Sequence, residues 1–434
     1  MNINEIIKKK RDCNELSTEE IKFFIREYSC GNIPDYQASS LLMAIYLNGM
    51  SQREISDLTI AMSESGDILN LSEIEGIKID KHSTGGIGDK VTMVLMPLVA
   101  ACGVPVAKMS GRGLGYTQGT IDKLEAIEGF RTDLELGEFI NNVKEIGISL
   151  MSQSQNIAVA DKKLYALRDV TCTVESIPLI ASSVMSKKIA AGADKILLEV
   201  TCGTGSFMES ESRARILAET MVNIGKKVDK ETVAVITNMN QPLGVYCGNA
   251  LETMEAIQTL KGKGTPDVMQ VCCVLGAYML KMAGKGDNIV NNMKLIQSKI
   301  DNGEGLQKFK ELIERQGGDT KIIDEPETLM KALVKIPVEA LESGYIYEIE
   351  AKNIGQAVVN LGGGRMKKED VVDHSVGIEI LKKIGDKVEK GDILMYIHAN
   401  NDNQARQQVD FLRNSYKFAD RPVAKIKEIL DIVE

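Results

Sequence analysis

The chain has 434 residues, with 61 acidic and 52 basic side chains and a formal net charge of −9. This length is too great for one simple hydrophobic core and predicts two or three lobes. The charges form no long run of one sign, which argues against a nucleic-acid-binding protein and suits a protein that handles a small anion at a local site.

The cysteines and histidines of the chain indicate its cellular compartment and argue against a metal site. The eight cysteines form no CxxC pair and have no metal-ligand spacing with the histidines. Because the chain has only three histidines, a zinc site with three histidine ligands is not expected. The N-terminus lacks a signal-peptide pattern, and no stretch approaches the length of a membrane span. We therefore expect a cytoplasmic protein with reduced cysteines, no metal ion, no membrane contact and no nucleic-acid partner.

Residues 1–67 are predicted to form a small helical lobe. Ser17 with Glu20, and Ser51 with Glu54, have capping-box spacing ahead of runs with helical apolar periodicity. Each pair predicts the residue at which a helix begins.

The next segment, residues 74–155, alternates strands and helices and carries a glycine-rich loop. The loop sequence is Lys81-His82-Ser83-Thr84-Gly85-Gly86-Ile87-Gly88-Asp89-Lys90-Val91-Thr92. Its glycines allow close approach to a ligand, and Lys81, Ser83 and Thr92 supply a charge and hydroxyls, which fits a phosphate site. Taken alone, the pattern also fits a plain strand-to-helix turn.

A second glycine loop follows the next predicted strand and favours the phosphate interpretation. Its sequence is Ser110-Gly111-Arg112-Gly113-Leu114-Gly115-Tyr116-Thr117-Gln118-Gly119-Thr120-Ile121-Asp122-Lys123-Leu124-Glu125. Loops at the ends of successive strands lie on one edge of an α/β sheet, where ligands usually bind. Neither loop has the glycine spacing of a Walker or dinucleotide motif. Ser110 and Thr120 therefore join Lys81 and Ser83 as predicted phosphate contacts.

The rest of the chain completes the predicted architecture. Residues 158–190 read as helical, residues 191–334 continue the α/β pattern with long helices, one of them over 287–316, and residues 335–434 become β-rich before a final helix and strand. The turn at 385–392 resembles the hammerhead of biotinyl and lipoyl carriers, without their modifiable lysine. The predicted fold class is α/β: a small all-helical lobe, a large mixed α/β lobe with a mostly parallel central sheet, and a β-rich C-terminal α+β region.

Three motifs resemble, in order, those of the thymidine and pyrimidine-nucleoside phosphorylases. Residues 81–89 resemble that family's phosphate loop, residues 110–125 its signature, and residues 165–187 its base-binding segment. The similarity spans nearly the whole chain. It implies that residues 158–190 pack against the N-terminal helices, which places a cleft between the two lobes, and that the helical lobe forms a homodimer contact. Because neither lobe alone carries both the phosphate loops and the base-binding cations, the lobes are also expected to close over the cleft.

The resemblance implies phosphorolysis of a pyrimidine nucleoside, in which phosphate attacks C1′ of the sugar while the base leaves. The implied phosphate contacts are Lys81, Ser83, Thr92, Ser110 and Thr120. The residues implied to contact the nucleoside are Tyr165, Arg168, Ser183, Lys187 and Lys108.

Three of the implied site residues are candidates for catalysis. Arg168 and Lys187 are fixed cations that can stabilise negative charge on the departing base, and His82 can donate a hydrogen bond or a proton to it. Taken alone, the two cations fit surface ion pairs and the histidine fits a loop residue. Their joint agreement with one motif set reverses that interpretation.

Two lysines bear on specificity and cofactors. Lys108 resembles the form found in the broader pyrimidine-nucleoside phosphorylases, which predicts activity on uridine as well as thymidine. Some members of the family hold a monovalent cation beside the phosphate loop. Lys90 stands where those members carry a smaller hydroxyl residue, so its ammonium is expected to replace the ion. No other cofactor is expected, and inorganic phosphate is the co-substrate.

Departures from the family pattern keep other interpretations open. Gln118 replaces a glycine, which predicts backbone strain if that position needs a positive φ, and Tyr116 replaces a histidine. The alternatives are a strict thymidine phosphorylase, an enzyme like anthranilate phosphoribosyltransferase, which would lack the β-rich C-terminal region, and a weakened nucleoside-binding protein.

Overall fold

The computed structural model describes residues 1–113, 115–154, 156–365, 367 and 370–434. The helices are α1 (Ile3–Arg11), α2 (Thr18–Ser29), α3 (Asp35–Asn48), α4 (Gln52–Ser63), α5 (Val91–Ala101), α6 (Thr120–Leu124), α7 (Leu136–Ile146), α8 (Val159–Val170), α9 (Ile177–Ala190), α10 (Glu211–Lys227), α11 (Asn249–Gln258), α12 (Pro266–Met282), α13 (Ile289–Asp301), α14 (Glu304–Arg315), α15 (Lys321–Asp324), α16 (Ala351–Asn360) and α17 (Asp402–Arg413). The strands are β1 (Ile79–Ser83), β2 (Val106–Ser110), β3 (Ile148–Ser152), β4 (Lys195–Cys202), β5 (Thr232–Asn238), β6 (Tyr246–Cys247), β7 (Val334–Glu339), β8 (Gly344–Ile349), β9 (Gly377–Ile380), β10 (Lys387–Val388), β11 (Ile393–Ala399), β12 (Tyr416–Ala419) and β13 (Ile429–Val433).

A helical lobe contains α1 to α4 together with α8 and α9. Both predicted capping boxes are confirmed, because the hydroxyls of Ser17 and Ser51 accept from the backbone N–H of Glu20 and Glu54, whose carboxylates accept in return. Helix α8 packs on α2 and α3, and α9 packs on α4. The chain therefore leaves this lobe after α4 and returns to it at α8.

The α/β lobe is built on a sheet with the strand order β1-β4-β5-β13. Strands β1, β4 and β5 are parallel, and β13 is antiparallel to β5. Strands β2 and β3 form a second parallel pair beside β1. Helices α5, α11 and α12 cover this region with apolar side chains that form the largest core. The prediction of a mostly parallel central sheet beside a helical lobe is confirmed.

The C-terminal region shares strands with the α/β lobe. Its two sheets have the orders β6-β9-β11-β7 and β10-β8-β12, and β6 comes from the α/β part of the chain. In return, β13 leaves the C-terminal region and pairs with β5 of the main sheet. A β-rich C-terminal region is confirmed, but the chain ends on two strands rather than the single predicted one, and the second lies in the other lobe.

Two local expectations differ from the structure. The helix predicted over 287–316 is two helices, α13 and α14, because Gly303 adopts a φ of 79° between them. The strain expected at Gln118 is absent, because the positive φ in this loop falls on Gly115 instead. Among the described residues, none of the helices combines the length and the apolar composition needed for a membrane span.

Candidate active site

The first glycine loop begins after Ser83 rather than at Lys81, because β1 extends from Ile79 to Ser83. Side chains of a strand alternate between its faces, so Lys81 and Ser83 share one face. There the fully buried ammonium of Lys81 lies 2.5 Å from Glu199 Oε2 and 4.0 Å from Asp89 Oδ1. Burial alone would lower the pKa of Lys81, but the carboxylates of Asp89 and Glu199 raise it, so the ammonium stays charged.

The opposite face of β1 carries a buried charge cluster. Asp80 accepts from Lys108 on β2, at 2.9 Å, and from Lys188 on α9, at 2.7 Å. Lys108 also donates to the carbonyl oxygen of Lys81. Burial lowers the pKa of Lys108 to about 7, against the opposing effect of Asp80. The cluster joins β1, β2 and the end of α9, where the two lobes meet.

His82 lies half-buried on this same face. Burial, followed by the charges of Lys188, Lys108, Lys187 and Lys81, lowers the pKa of His82 well below 6.5. The imidazole is therefore neutral at pH 7 and can donate an N–H hydrogen bond, but it holds no extra proton to give away.

Equivalent positions in the two glycine loops carry the predicted phosphate contacts. Ser83 and Ser110 are the last residues of β1 and β2, two strands that contact one another. Thr92 and Thr120 lie in the first turns of the helices that follow, α5 and α6. Each loop thus offers a hydroxyl at a strand end and another at a helix start.

The second loop is held closed by Asp122. One carboxylate oxygen of Asp122 accepts the backbone N–H of Gly113 at 2.6 Å, and the other accepts Arg365 of the C-terminal region at 2.6 Å. The loop crosses itself so closely that a Cβ on Gly113 would lie 2.5 Å from the backbone nitrogen of Gly119. A residue of the C-terminal region therefore supports the conformation of a predicted phosphate loop.

The predicted base-binding residues share facing surfaces of α8 and α9. Arg168 is almost fully buried and donates from all three guanidinium nitrogens, to the carbonyl oxygens of Thr173, Leu179 and Val174. Its guanidinium carbon lies 5.7 Å from the centre of the Tyr165 ring. These contacts fix Arg168 in one orientation, with donors to spare.

Lys187 and Ser183 form the other half of this predicted pocket. Lys187 Nζ donates to Ser183 Oγ at 2.9 Å and to Asp161 of α8 at 2.5 Å. Lys188, the next residue on α9, donates to Asp80 of β1 at 2.7 Å, so the base-binding helix is joined directly to the strand that carries Lys81. The structure thus places the helix of Ser183 and Lys187 against the strand of His82.

Comparison with known proteins relates this arrangement to a family. The a/b domain of the glycosyl transferase family matches residues 75–306, the helical bundle domain of that family matches residues 4–66, and the pyrimidine nucleoside phosphorylase C-terminal domain matches residues 345–419. The chain is 55% identical over 403 residues to the pyrimidine-nucleoside phosphorylase of Bacillus subtilis (strain 168), covering 93% of each chain. It is 54% identical over 410 residues to that of Staphylococcus aureus (strain USA300), covering 94% of each. The chain belongs to the pyrimidine-nucleoside phosphorylase family.

A solved structure with low sequence identity shares the fold. Anthranilate phosphoribosyltransferase from Thermus thermophilus aligns with a TM-score of 0.60 at 18% identity, over 71% of this chain and 98% of that one. This likeness concerns the fold alone.

One family position, Lys90, is fully buried beside the first loop. Its ammonium donates to the carbonyl oxygens of Leu243 and Tyr246, at 2.6 and 3.0 Å, and to Glu255 Oε2 at 2.6 Å. Burial would lower the pKa of Lys90, but Glu255 and Glu252 raise it. A cation is therefore held among three oxygens at this point. Among the described residues, no cluster of histidine, cysteine and carboxylate side chains has the arrangement of a metal site.

Several partners of the predicted site residues were missed in the sequence. Asp80 and Glu199 lie in strands, and only the tertiary structure reveals which charges they meet. Glu199 meets Lys81 across the β1–β4 pair, and Asp80 meets Lys108 of β2 and Lys188 of α9. Asp161 could have been found, because it shares one face of a helix with Tyr165 and Arg168 at spacings of four and seven residues. Lys81 and Lys108 were assigned to ligands, yet here their ammonium groups contact protein oxygens.

Proposed function

We propose that this protein is a pyrimidine-nucleoside phosphorylase that acts in nucleoside salvage. It catalyses the reversible phosphorolysis of uridine, thymidine and deoxyuridine to the free base and ribose or deoxyribose 1-phosphate. The observation that carries the proposal is the buried contact between Asp80 of β1 and Lys188 of α9, at 2.7 Å. It joins the strand that carries Lys81 and His82 to the helix that carries Ser183 and Lys187. The names of the related proteins support the same activity.

In the proposed mechanism, phosphate itself is the nucleophile. The hydroxyls of Ser83, Thr92, Ser110 and Thr120 hold phosphate against the sugar, with help from loop amides. Lys81 contributes positive charge from beneath the loop, and direct contact with phosphate requires its ammonium to exchange Glu199 or Asp89 for the ligand.

The leaving base is stabilised from the helical lobe. Arg168, held by three carbonyl oxygens, and Lys187 meet the negative charge that develops on the pyrimidine, and Ser183 bonds its polar edge. Tyr165 lies against Arg168 and lines the same pocket. Neutral His82 donates an N–H hydrogen bond to a base oxygen rather than a proton.

The broader sugar specificity rests on Lys108. The hydrogen bond from Lys108 to the carbonyl oxygen of Lys81 holds its amine beside β1. Because burial lowers the pKa of Lys108 to about 7, this amine exists in both charged and neutral forms near pH 7. Contact with a ribose 2′-hydroxyl requires Lys108 to exchange one of its present oxygen partners.

The cation requirement is proposed to be met by Lys90. Three oxygens at 2.6 to 3.0 Å surround its ammonium, as they would surround a monovalent ion. No potassium is therefore needed, and phosphate remains as the only small-molecule co-substrate.

A homodimer and a cytoplasmic location complete the proposal. Helix α3 exposes Tyr36 and Leu47, each more than two-thirds accessible, in the lobe where the family resemblance implies the dimer contact. All eight cysteines are free thiols, as expected in a reducing compartment. Size-exclusion chromatography with light scattering, comparing the wild type with L47E, tests the dimer surface: a wild-type monomer contradicts it.

The activity is tested by incubating the protein with uridine or thymidine and following base release by ultraviolet absorbance, with and without phosphate. Release that depends on phosphate supports the phosphorylase. Turnover of thymidine without uridine indicates the strict thymidine enzyme. Activity that requires magnesium and phosphoribosyl pyrophosphate indicates the anthranilate-type transferase, and nucleoside binding without turnover indicates the weakened binder.

A further inference from the structure

Asp161 is a buried carboxylate that contacts Lys187 of the predicted base pocket. It lies in the first turn of α8, is only 4% exposed, and contacts Lys187 Nζ through Oδ2 at 2.5 Å. It also opposes the effect of burial on the pKa of Arg168. One carboxylate thus acts on both Arg168 and Lys187.

The contact with Asp161 restricts a side chain that is otherwise mobile. A lysine side chain has four rotatable bonds and three ammonium donors, so its position depends on what it contacts. Asp161 Oδ2 and Ser183 Oγ accept two of the three ammonium hydrogens of Lys187. The third remains for a ligand, and because Ser183 Oγ accepts from Lys187, the serine hydrogen is also free to point elsewhere.

The second carboxylate oxygen shows that the pair is not optimised for stability alone. Asp161 Oδ1 is buried and has no hydrogen-bond partner among the described residues. A buried acceptor without a donor is costly, and such groups are concentrated at functional sites. In the same lobe, the buried carboxylate of Glu54 has a donor on each oxygen: both oxygens bind Lys10, and the backbone of Leu16 and Ser51 adds further bonds.

We propose that Asp161 is a positioning residue of the base pocket, which holds the Lys187 ammonium, and through it the Ser183 hydroxyl, in the arrangement that meets the departing pyrimidine. The proposal rests on the proposed phosphorylase function. Asp161 does not touch the reacting atoms; it acts through Lys187, and the phosphate loops are independent of it.

The first test is the variant D161N. Its matched control is E54Q, which also removes the charge of a buried carboxylate in the helical lobe. For D161N we expect kcat/KM for uridine to fall about 10- to 100-fold, the usual effect of losing a charge-assisted hydrogen bond, with KM for phosphate changed less than about twofold. E54Q is expected to lower the melting temperature while kcat/KM stays unchanged. If D161N lowers only the melting temperature, as E54Q does, the positioning role is wrong.

The second test is a double-mutant cycle with K187M. If Asp161 acts through Lys187, adding D161N to K187M changes kcat/KM less than about twofold, because interacting residues are not additive. Fully additive losses overturn the proposal. K187M leaves the buried carboxylate of Asp161 unpaired, whereas the double variant leaves no unpaired charge from this pair, so kcat/KM of both variants is compared at a temperature below the melting transition of each.

Equilibrium binding of uridine separates this proposal from the proposed function. If the wild type releases no uracil in phosphate, the phosphorylase function fails, and the same cycle measured as Kd for uridine still decides whether Asp161 acts through Lys187. If the wild type is active and the cycle is additive in both kcat/KM and Kd, only the role of Asp161 fails.

Discussion

Neighbouring residues of β1 have different roles because they face opposite sides of the sheet. Lys81 meets Glu199 and Asp89 on one face, whereas Asp80 meets Lys108 and Lys188 on the other, beside His82. Each buried cation therefore has a carboxylate partner, as burial of charge requires. His82, among several ammonium groups, is the titratable side chain of this strand that remains neutral.

The low pKa of His82 predicts a pH dependence of stability. Below pH 6.5 the unfolded chain binds a proton at this histidine that the folded protein does not bind, so the free energy of unfolding falls as the pH falls toward the lower folded-state pKa. H82N cannot titrate there, and we expect a shallower loss of stability between about pH 6.5 and 5 than in the wild type. Urea unfolding across this range checks it, and parallel profiles would contradict it.

Lys90 predicts a cation effect that appears only after mutation. K90T leaves Glu255 and the carbonyl oxygens of Leu243 and Tyr246 without their cation, which should cost about 3–5 kcal/mol of unfolding free energy. Potassium chloride should restore part of this loss relative to choline chloride, whereas the wild type should respond equally to both salts.

The matched control for the Lys90 prediction is K10M. It also removes a buried lysine from a carboxylate, Glu54, but without surrounding carbonyl oxygens from a second loop. K10M should lose stability with no recovery in potassium. Selective stabilisation of the wild type by potassium would show that Lys90 does not replace the ion.

At the scale of elements, the second glycine loop depends on its own crossing and on the C-terminal region. Gly113 and Gly119 approach so closely that neither tolerates a side chain, and Asp122 ties this crossing to Arg365. Tyr116 packs against Phe207, at 5.8 Å between ring centres, and lies beneath Lys352 of α16 at 5.1 Å. Elements from three parts of the chain thus shape one loop.

Two alanine substitutions separate this crossing from general loop flexibility. In G113A the Cβ would meet backbone atoms of Gly119 and Thr117 at 2.5 Å, so the loop must rearrange. We expect KM for phosphate to rise at least about tenfold, because displacing a contact by an ångström is enough for such an effect. In G111A the Cβ meets no protein atom within 4 Å, so the crossing stays intact and KM for phosphate should rise much less than in G113A. Equal effects of both substitutions would contradict the role of the crossing.

At the scale of the whole molecule, strand exchange joins the C-terminal region to the α/β lobe. Strand β6 enters the C-terminal sheet, and β13 returns to the edge of the main sheet beside β5. The helical lobe has no such shared strand among the described residues. Its covalent connections are the segments flanking α4, α8 and α9, and it packs on the α/β lobe through contacts of α4 and α9 with α10. Any hinge movement is therefore expected between the helical lobe and the rest.

Removing residues 429–434 tests the importance of the exchanged strand. The deletion uncovers the edge of β5 and the apolar side chains packed beneath Ile429, Leu430, Ile432 and Val433. We expect the free energy of unfolding to fall on the order of 3 kcal/mol, and association through the bare strand edge to increase. Unchanged denaturant unfolding and an unchanged oligomeric state would show that β13 contributes little.

Closure of the lobes is predicted because neither lobe alone carries both the phosphate loops and the base-binding cations. Small-angle X-ray scattering with phosphate and a pyrimidine nucleoside analogue should give a smaller radius of gyration than the free protein. Identical profiles in the two conditions would argue against closure.

Local patterns in the amino-acid order were sufficient for the features that depend on near neighbours. Capping boxes at Ser17 and Ser51, apolar periodicity and glycine spacing each involve only a few neighbouring residues. The amino-acid sequence alone therefore identifies helix starts and both glycine loops. The order of three motifs was likewise enough to identify the family.

Only the tertiary structure decided which charges meet. Lys90 and Glu255, or Asp161 and Lys187, are far apart in the chain, and an ion pair between them depends on how strands and helices are placed in space. The return of β13 to the main sheet has the same origin, because strand pairing is a contact between distant segments. Residues that interact over a short range are close together in the sequence, so the sequence reveals their interaction. The partner of a buried charge depends instead on which distant elements the fold packs around it.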